Sequence, residues 1–241
     1  MKAMLFLLAA LLPVMRAQPE QETASQEPAS PSVDSVDGED THFQWKSALL
    51  ESGFLLAVQH STRMVQAKTR AELGGPFWAD YFNSVSTIHT WNDSNSVLTN
   101  YIGHPILGAV TGYIQVFNDP IGRRLEFDLS SKRYWQSRLK AMAWTAAYST
   151  QFEIGPISEA SIGNVGKHPP TMAVVDLVVT PVGGLAVMML EDYVDARFIS
   201  RWERNKSIHL ARFYRIAFNP SRSLCNLLRL KHPAYRDTRP L

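Results

Sequence analysis

From Phe43 to Leu73 the apolar residues Trp45, Leu49, Leu50, Phe54, Val58, Met64, Val65 and Ala67 return at steps of three and four, the spacing of one helix face. Gly74, Gly75 and Pro76 end that run, and the aromatic stretch Phe77–Ile88 predicts a shorter helix. Thr90–Ser96 reads as a loop whose Asp93, Ser94 or Ser96 can accept the free N–H groups of the next helix. That helix is Val97–Phe117, stopped by the breaker Asn118–Gly122. Ser131 to Phe152 predicts a long helix, bent by Gly155-Pro156 and continued over Ile157–Ile162. Beyond a turn at Lys167–Pro170, Thr171–Phe198 is the most apolar segment, predicted as a helix broken at Pro181 and Gly183-Gly184. Ser207–Phe218 and Ser221–Leu230 close the pattern as two short amphipathic helices. No stretch sustains strict apolar/polar alternation, so the expected fold class is all-α, a compact bundle of about six or seven helices.

The pattern changes before Phe43. Lys2 precedes an apolar run, Ala3–Val14, that is shorter than the roughly 20 residues a bilayer-spanning helix needs. Arg16-Ala17 and polar chain follow it, which predicts a signal peptide over residues 1–17, with an uncleaved anchor as the alternative. Residues 18–42 hold seven acids, no Lys or Arg, and much Pro, Ser and Gln. Such a segment buries too little apolar surface to offset the entropy of ordering it, so a disordered acidic linker is expected. Residues 43–241 remain as one helical domain.

Charge adds a second asymmetry. The chain has 24 basic and 22 acidic residues, but without the leader and linker 22 basic face 15 acidic groups. Eleven basic residues lie between Arg197 and Leu241, against only Glu203 and Asp237. Arg212 and Arg215 in the first C-terminal helix, and Arg222 and Arg229 in the second, sit at positions offset from the apolar ones. A basic amphipathic face of this kind suits the head groups of anionic lipid, so a membrane surface is the expected partner. The alternative is that the apolar side merely closes the bundle and the arginines are solvated. No nucleic-acid motif accompanies the basic excess, and no nucleic-acid partner is expected; protein partners stay open. Cys225 is the one cysteine, so no intramolecular disulfide can form, and it reads as a small core residue.

Thr171–Leu190 and Tyr101–Phe117 are long apolar stretches carrying one Asp and one His respectively. Gly108 and Gly112 space small residues as close-packed helices do. Either a core helix or a bilayer helix accounts for both stretches. Their marginal length and the charge on the other helices favour a compact bundle resting on a membrane.

The candidate chemistry lies where polar groups interrupt these apolar helices. Asn100 and His104 are four residues apart and share a face. Glu153 and Glu159 flank the Gly155-Pro156 bend, and Asp176 interrupts Met172–Val179. Three readings compete. The groups can form a structural hydrogen-bonded network. His104, Glu159 and Asp176 can serve as a catalytic set, for a hydrolase acting on lipid or cell-wall material. Or Asn100 and Glu153 can help to bind a ligand or head group. There is no HExxH, GxSxG, phosphate-binding loop or Cys–His spacing. No metal or cofactor is therefore assigned, and whether the protein is an enzyme stays open beside a binding or scaffolding role. His89 and His168 fall in loops and read as solvated.

Four stretches occur in order: NYIGHPILG (Asn100–Gly108), FEIGPISE (Phe152–Glu159), VDLVVTPVGG (Val175–Gly184) and AFNPSRSLCNLLR (Ala217–Arg229). Together they resemble an uncharacterised family of exported bacterial envelope proteins, a domain of unknown function. The His…Glu…Asp order on helices is also similar to that of VanZ-like membrane domains. The resemblance implies residence in the periplasm, or on the periplasmic face of a membrane, in a Gram-negative-type bacterium. It marks Asn100, His104, Pro105, Glu159, Asp176, Gly183 and Gly184 as motif positions and brings no established activity. Cys225 and Lys231-His232-Pro233 depart from the glycine-rich ending associated with that family.

Overall fold

The computed structural model describes residues 42–88, 90–91, 96–162, 174–204 and 206–239. The predicted signal peptide, the linker up to residue 41, His89, Asp93, Ser94, His168 and the Lys167–Pro170 turn lie outside the described residues. The chain divides between His42 and Phe43, and the second unit is an all-α bundle. Among the described residues it has eight helices and no strand: α1 Trp45–Met64, α2 Ala67–Glu72, α3 Phe77–Ser86, α4 His104–Asn118, α5 Lys132–Ile154, α6 Val175–Trp202, α7 Ile208–Phe218 and α8 Pro220–Leu228.

α4 is the centre. Every residue from Gly108 to Asn118 is buried, with α1, α5, α6 and α8 packed around it. The expected Val97–Phe117 helix is present, but it enters through a π turn, Thr99–Gly103, in which the His104 N–H donates to Thr99 O. Pro105 accounts for this. It has no N–H for the carbonyl four residues back, and its ring crowds that carbonyl, so the turn ahead of it widens. Ser96 Oγ accepts the Thr99 N–H at 3.1 Å, as the loop chemistry predicts.

α6 departs from expectation. Pro181 and Gly183-Gly184 do not break it; the helix runs unbroken from Val175 to Trp202. Tertiary packing outweighs the local cost. The backbones of α4 and α6 touch at Gly108 and Gly184, where a Cβ on Gly184 would sit 2.6 Å from the Gly108 carbonyl carbon. Glycine is required on both sides of this crossing, and a helix clamped so closely keeps its course through a proline. α5 starts as expected, with Ser131 Oγ accepting from the Tyr134 N–H at 3.3 Å. The expected helix over Ile157–Ile162 is absent: the chain makes bends and turns from Gly155 to Ile162. Ser158 and Ser161 close those turns on each other, the Ser158 N–H donating to Ser161 Oγ at 2.8 Å. Such local side-chain bonds compete with helix propagation.

Candidate functional site

Three helices bring polar groups to one point beside the α4–α6 crossing. His104 opens α4, Glu153 lies in the last turn of α5 and Asp176 in the first turn of α6. His104 Nε2 is 3.4 Å from Asp176 Oδ1, and one ligand atom from each of the three side chains lies within 4.8 Å of the others. The exposures of His104, Glu153 and Asp176 are 8, 6 and 6 %. Thr180, one turn after Asp176, places its Oγ1 3.3 Å from His104 Nδ1. That contact orients the ring so that its other nitrogen meets the carboxylate. Ser149 Oγ donates to the Asp176 carbonyl at 3.2 Å, tying α5 to the start of α6. The Val174 and Val175 N–H groups donate to Thr90 and Trp91 carbonyls at 2.9 and 3.2 Å, so the entry to α6 is held by a distant segment. Asn100 is buried on the π turn before His104. An imidazole beside two carboxylates in a desolvated setting can exchange a proton or hold a cation.

The sequence reading placed Glu159 with His104 and Asp176. The third group gathered there is Glu153; Glu159 forms an ion pair with Arg63 Nε on α1. The turns after Gly155 carry Glu159 to that helix. Nearby, His60 stacks on Phe152 at 5.1 Å, and its Nε2 is 3.2 Å from the Ile157 carbonyl. Burial lowers the pKa of His60 and favours its neutral form. Thr180, which orients His104, had only its place in the Val175–Gly184 motif as a signal.

A second polar cluster lies at the far end of α6, where Glu191 and Asp192 precede a π turn, Asp195–Ile199, that opens on Asp195. Asp192 accepts Arg138 Nε at 2.7 Å, Tyr134 OH at 2.9 Å and Tyr113 OH at 3.1 Å, and it pairs with Arg222. Asp195 accepts Arg236 Nε and Asn219 Nδ2, both at 3.1 Å, and pairs with Arg239. Glu191 caps α8, accepting the Ser221 and Arg222 N–H groups at 2.8 and 3.1 Å. Burial by itself would raise the Asp192 carboxyl, but Arg138 and Arg222 outweigh it and hold it below the usual range. Asp195 is held low in the same way, with Arg222, Arg236 and Arg239 opposing its desolvation. Glu191, with desolvation dominant, is raised.

This cluster corrects the expectation of an exposed basic face. Arg215 is buried and donates to Glu203 through Nε at 2.6 Å and Nη2 at 2.9 Å. Arg222 belongs to the Asp192 site. Arg229 pairs with Asp237 at 3.2 Å and lies 4.2 Å over the Phe117 ring. Arg212 stays at the half-exposed rim. The residues that could have pointed to this site are Glu191, Asp192 and Asp195, three acids closing an apolar helix. Cys225 is buried, and its surroundings push the thiol pKa up.

With the arginines inside, the apolar residues of α7 face out. Phe213 is 59 % exposed, and Ile208 and Ile216 are exposed beside it. On α6, Val178, Val182, Leu190 (61 %), Tyr193 and Phe198 are exposed as well. Ring contacts join the two helices, Trp202 to Tyr214 at 5.5 Å and Trp202 to Phe218 at 5.4 Å. Val175–Trp202 is the one helix among the described residues long and apolar enough to cross a membrane, and 33 % of its most apolar stretch is buried. Arg197, Arg201, Arg204 and Lys206 are exposed around Trp202 at its C-terminal end.

No family model, curated protein or solved structure matches this chain. Its own geometry defines it as an all-α bundle with two buried polar centres and exposed apolar residues along α6 and α7.

Proposed function

We propose that this is an exported, membrane-associated helical protein of the bacterial cell envelope, acting at the periplasmic face of a membrane as a binding or scaffolding protein. Its α6–α7 face lies against anionic lipid. The observation that carries this reading is the reversed polarity of α7, with Arg215 inside and Phe213 and Ile216 outside. An amphipathic helix of a soluble domain turns its apolar side to the core. A contiguous apolar surface rimmed by charge marks a contact face. Aromatic side chains with flanking Arg and Lys, as at Trp202, Arg197, Arg201, Arg204 and Lys206, suit the head-group level of a bilayer. The apolar run Ala3–Val14 supports export.

Co-sedimentation with phosphatidylglycerol-containing and pure phosphatidylcholine vesicles tests this. Binding should favour the anionic vesicles and weaken as salt rises. Changing Arg197, Arg201, Arg204 and Lys206 together to Gln should lower it at least ~10-fold, since each basic group near an anionic surface contributes about 1 kcal/mol. Equal binding to both vesicles, or no response to the four changes, overturns the reading.

One observation favours a second reading, an envelope hydrolase acting on lipid or cell-wall material. His104 meets Asp176 and Glu153 as a base and its orienting acids could. It ranks behind the first because all three side chains are less than a tenth exposed, and a hydrolase must admit its substrate.

A further inference from the structure

We infer that His104, Glu153 and Asp176 form a binding site for a divalent first-row transition-metal ion, with zinc as its best fit. This goes beyond the lipid-facing role and does not depend on it. The donor set is one imidazole and two carboxylates, contributed by three different helices and brought together beside the Gly108–Gly184 crossing. An imidazole suits zinc and its neighbours in the first row, whereas magnesium and calcium take all-oxygen sets.

The spacing agrees. Zinc bonds nitrogen and oxygen at about 2.0–2.1 Å, and a tetrahedron of that size has edges of about 3.4 Å. His104 Nε2 and Asp176 Oδ1 are 3.4 Å apart. Glu153 offers an oxygen within 4.8 Å of both, so a side-chain adjustment of about 1 Å, within the reach of one rotamer well, completes a three-ligand face. Three protein ligands leave a fourth position that a water can fill.

A supporting contact is present as well. A metal-bound imidazole has its far nitrogen engaged by a neighbouring polar group, which fixes the ring. Here Thr180 Oγ1 stands 3.3 Å from His104 Nδ1. Asp176 and Thr180 are one turn apart on α6, so a single helix carries both a ligand and the group that aims another ligand. The Gly108–Gly184 contact fixes the two helices at this separation. The second buried cluster lacks this character, because arginines surround its carboxylates.

The test is equilibrium dialysis of the folded full chain against Zn²⁺, with metal content measured per chain and thermal unfolding followed with and without Zn²⁺. One equivalent should be retained, with a rise in melting temperature, and Mg²⁺ at the same concentration should not replace it. His104→Gln, Glu153→Gln and Asp176→Asn should each lower Zn²⁺ affinity at least ~100-fold, since each removes one of only three protein ligands. No stoichiometric uptake by the folded chain, or uptake unchanged in all three variants, overturns the site. Should those variants lose helicity, Thr180→Val decides. It keeps the side-chain shape and removes the hydroxyl that orients His104. Affinity lowered ~10-fold with helix content intact supports the site, and unchanged affinity overturns it.

Discussion

The two ends of α6 carry two buried polar centres that both gather carboxylates and differ in what meets them. At its start, Asp176 and Thr180 meet His104 beside one π turn. At its end, Asp192 and Asp195 sit beside another. In the second centre both aspartates face guanidinium groups: Arg138 and Arg222 on Asp192, Arg236 and Arg239 on Asp195. Buried charges matched in this way hold a fold in one arrangement, because removing a partner strands the other in a low-dielectric interior. The first centre brings together two carboxylates and an imidazole, whose charge depends on pH and on bound ions. The contrast teaches that burial alone does not mark a functional site. The charge balance among the side chains that meet separates a clamp from a centre with chemistry left to do.

Three substitutions bear on that contrast. The largest effect belongs to Asp192→Asn, which leaves Arg138 and Arg222 buried against an amide. It should cost about 3–5 kcal/mol in urea unfolding. A loss below ~1 kcal/mol would show that the arginine cluster does not hold the C-terminal half. Gly108→Ala comes next, since a Cβ there would strike the α6 backbone at Thr180 and Gly184. It should cost about 1–3 kcal/mol, measured the same way, with His104 displaced from Thr180. An unchanged stability would mean that the crossing is looser than the glycine contact implies. The smallest effect is expected for Asp176→Asn without metal. Relief of repulsion between neighbouring carboxylates offsets the lost contact to His104, leaving a change within about 1 kcal/mol. A loss comparable to that of Asp192→Asn would make the first centre a structural clamp like the second.

Helix content and most boundaries were legible, because apolar spacing over ten or more residues survives tertiary context. The Phe77, Val97, Ser131 and Ser207 starts fall within a few residues of α3, the α4 π turn, α5 and α7. Pro181 misled because a local cost was weighed without the clamp that opposes it, and Gly184 can be recognised as part of that clamp only once Gly108 faces it. The His104–Asp176 pairing was anticipated. The choice of Glu153 over Glu159 was not, since it turns on whether the chain after Gly155 stays helical, and two serine side chains decide against that. The arginines misled most. Periodicity reveals that two faces of a helix differ, but it does not say which one is buried when the polar face has carboxylates to meet.

The distance in sequence between the partners of the arginine cluster bears on how the protein is made. Asp195 takes Arg236 and Arg239 as partners, separated from it by 41 and 44 residues. Synthesis runs from the N-terminus, so α6 emerges with Arg138 already available to Asp192 but with the guanidinium partners of Asp195 still to be translated. Until they arrive, Asp195 keeps its water and the C-terminal end of α6 has nothing to lock against. The bundle is thus fastened late, by the arrival of a few guanidinium groups.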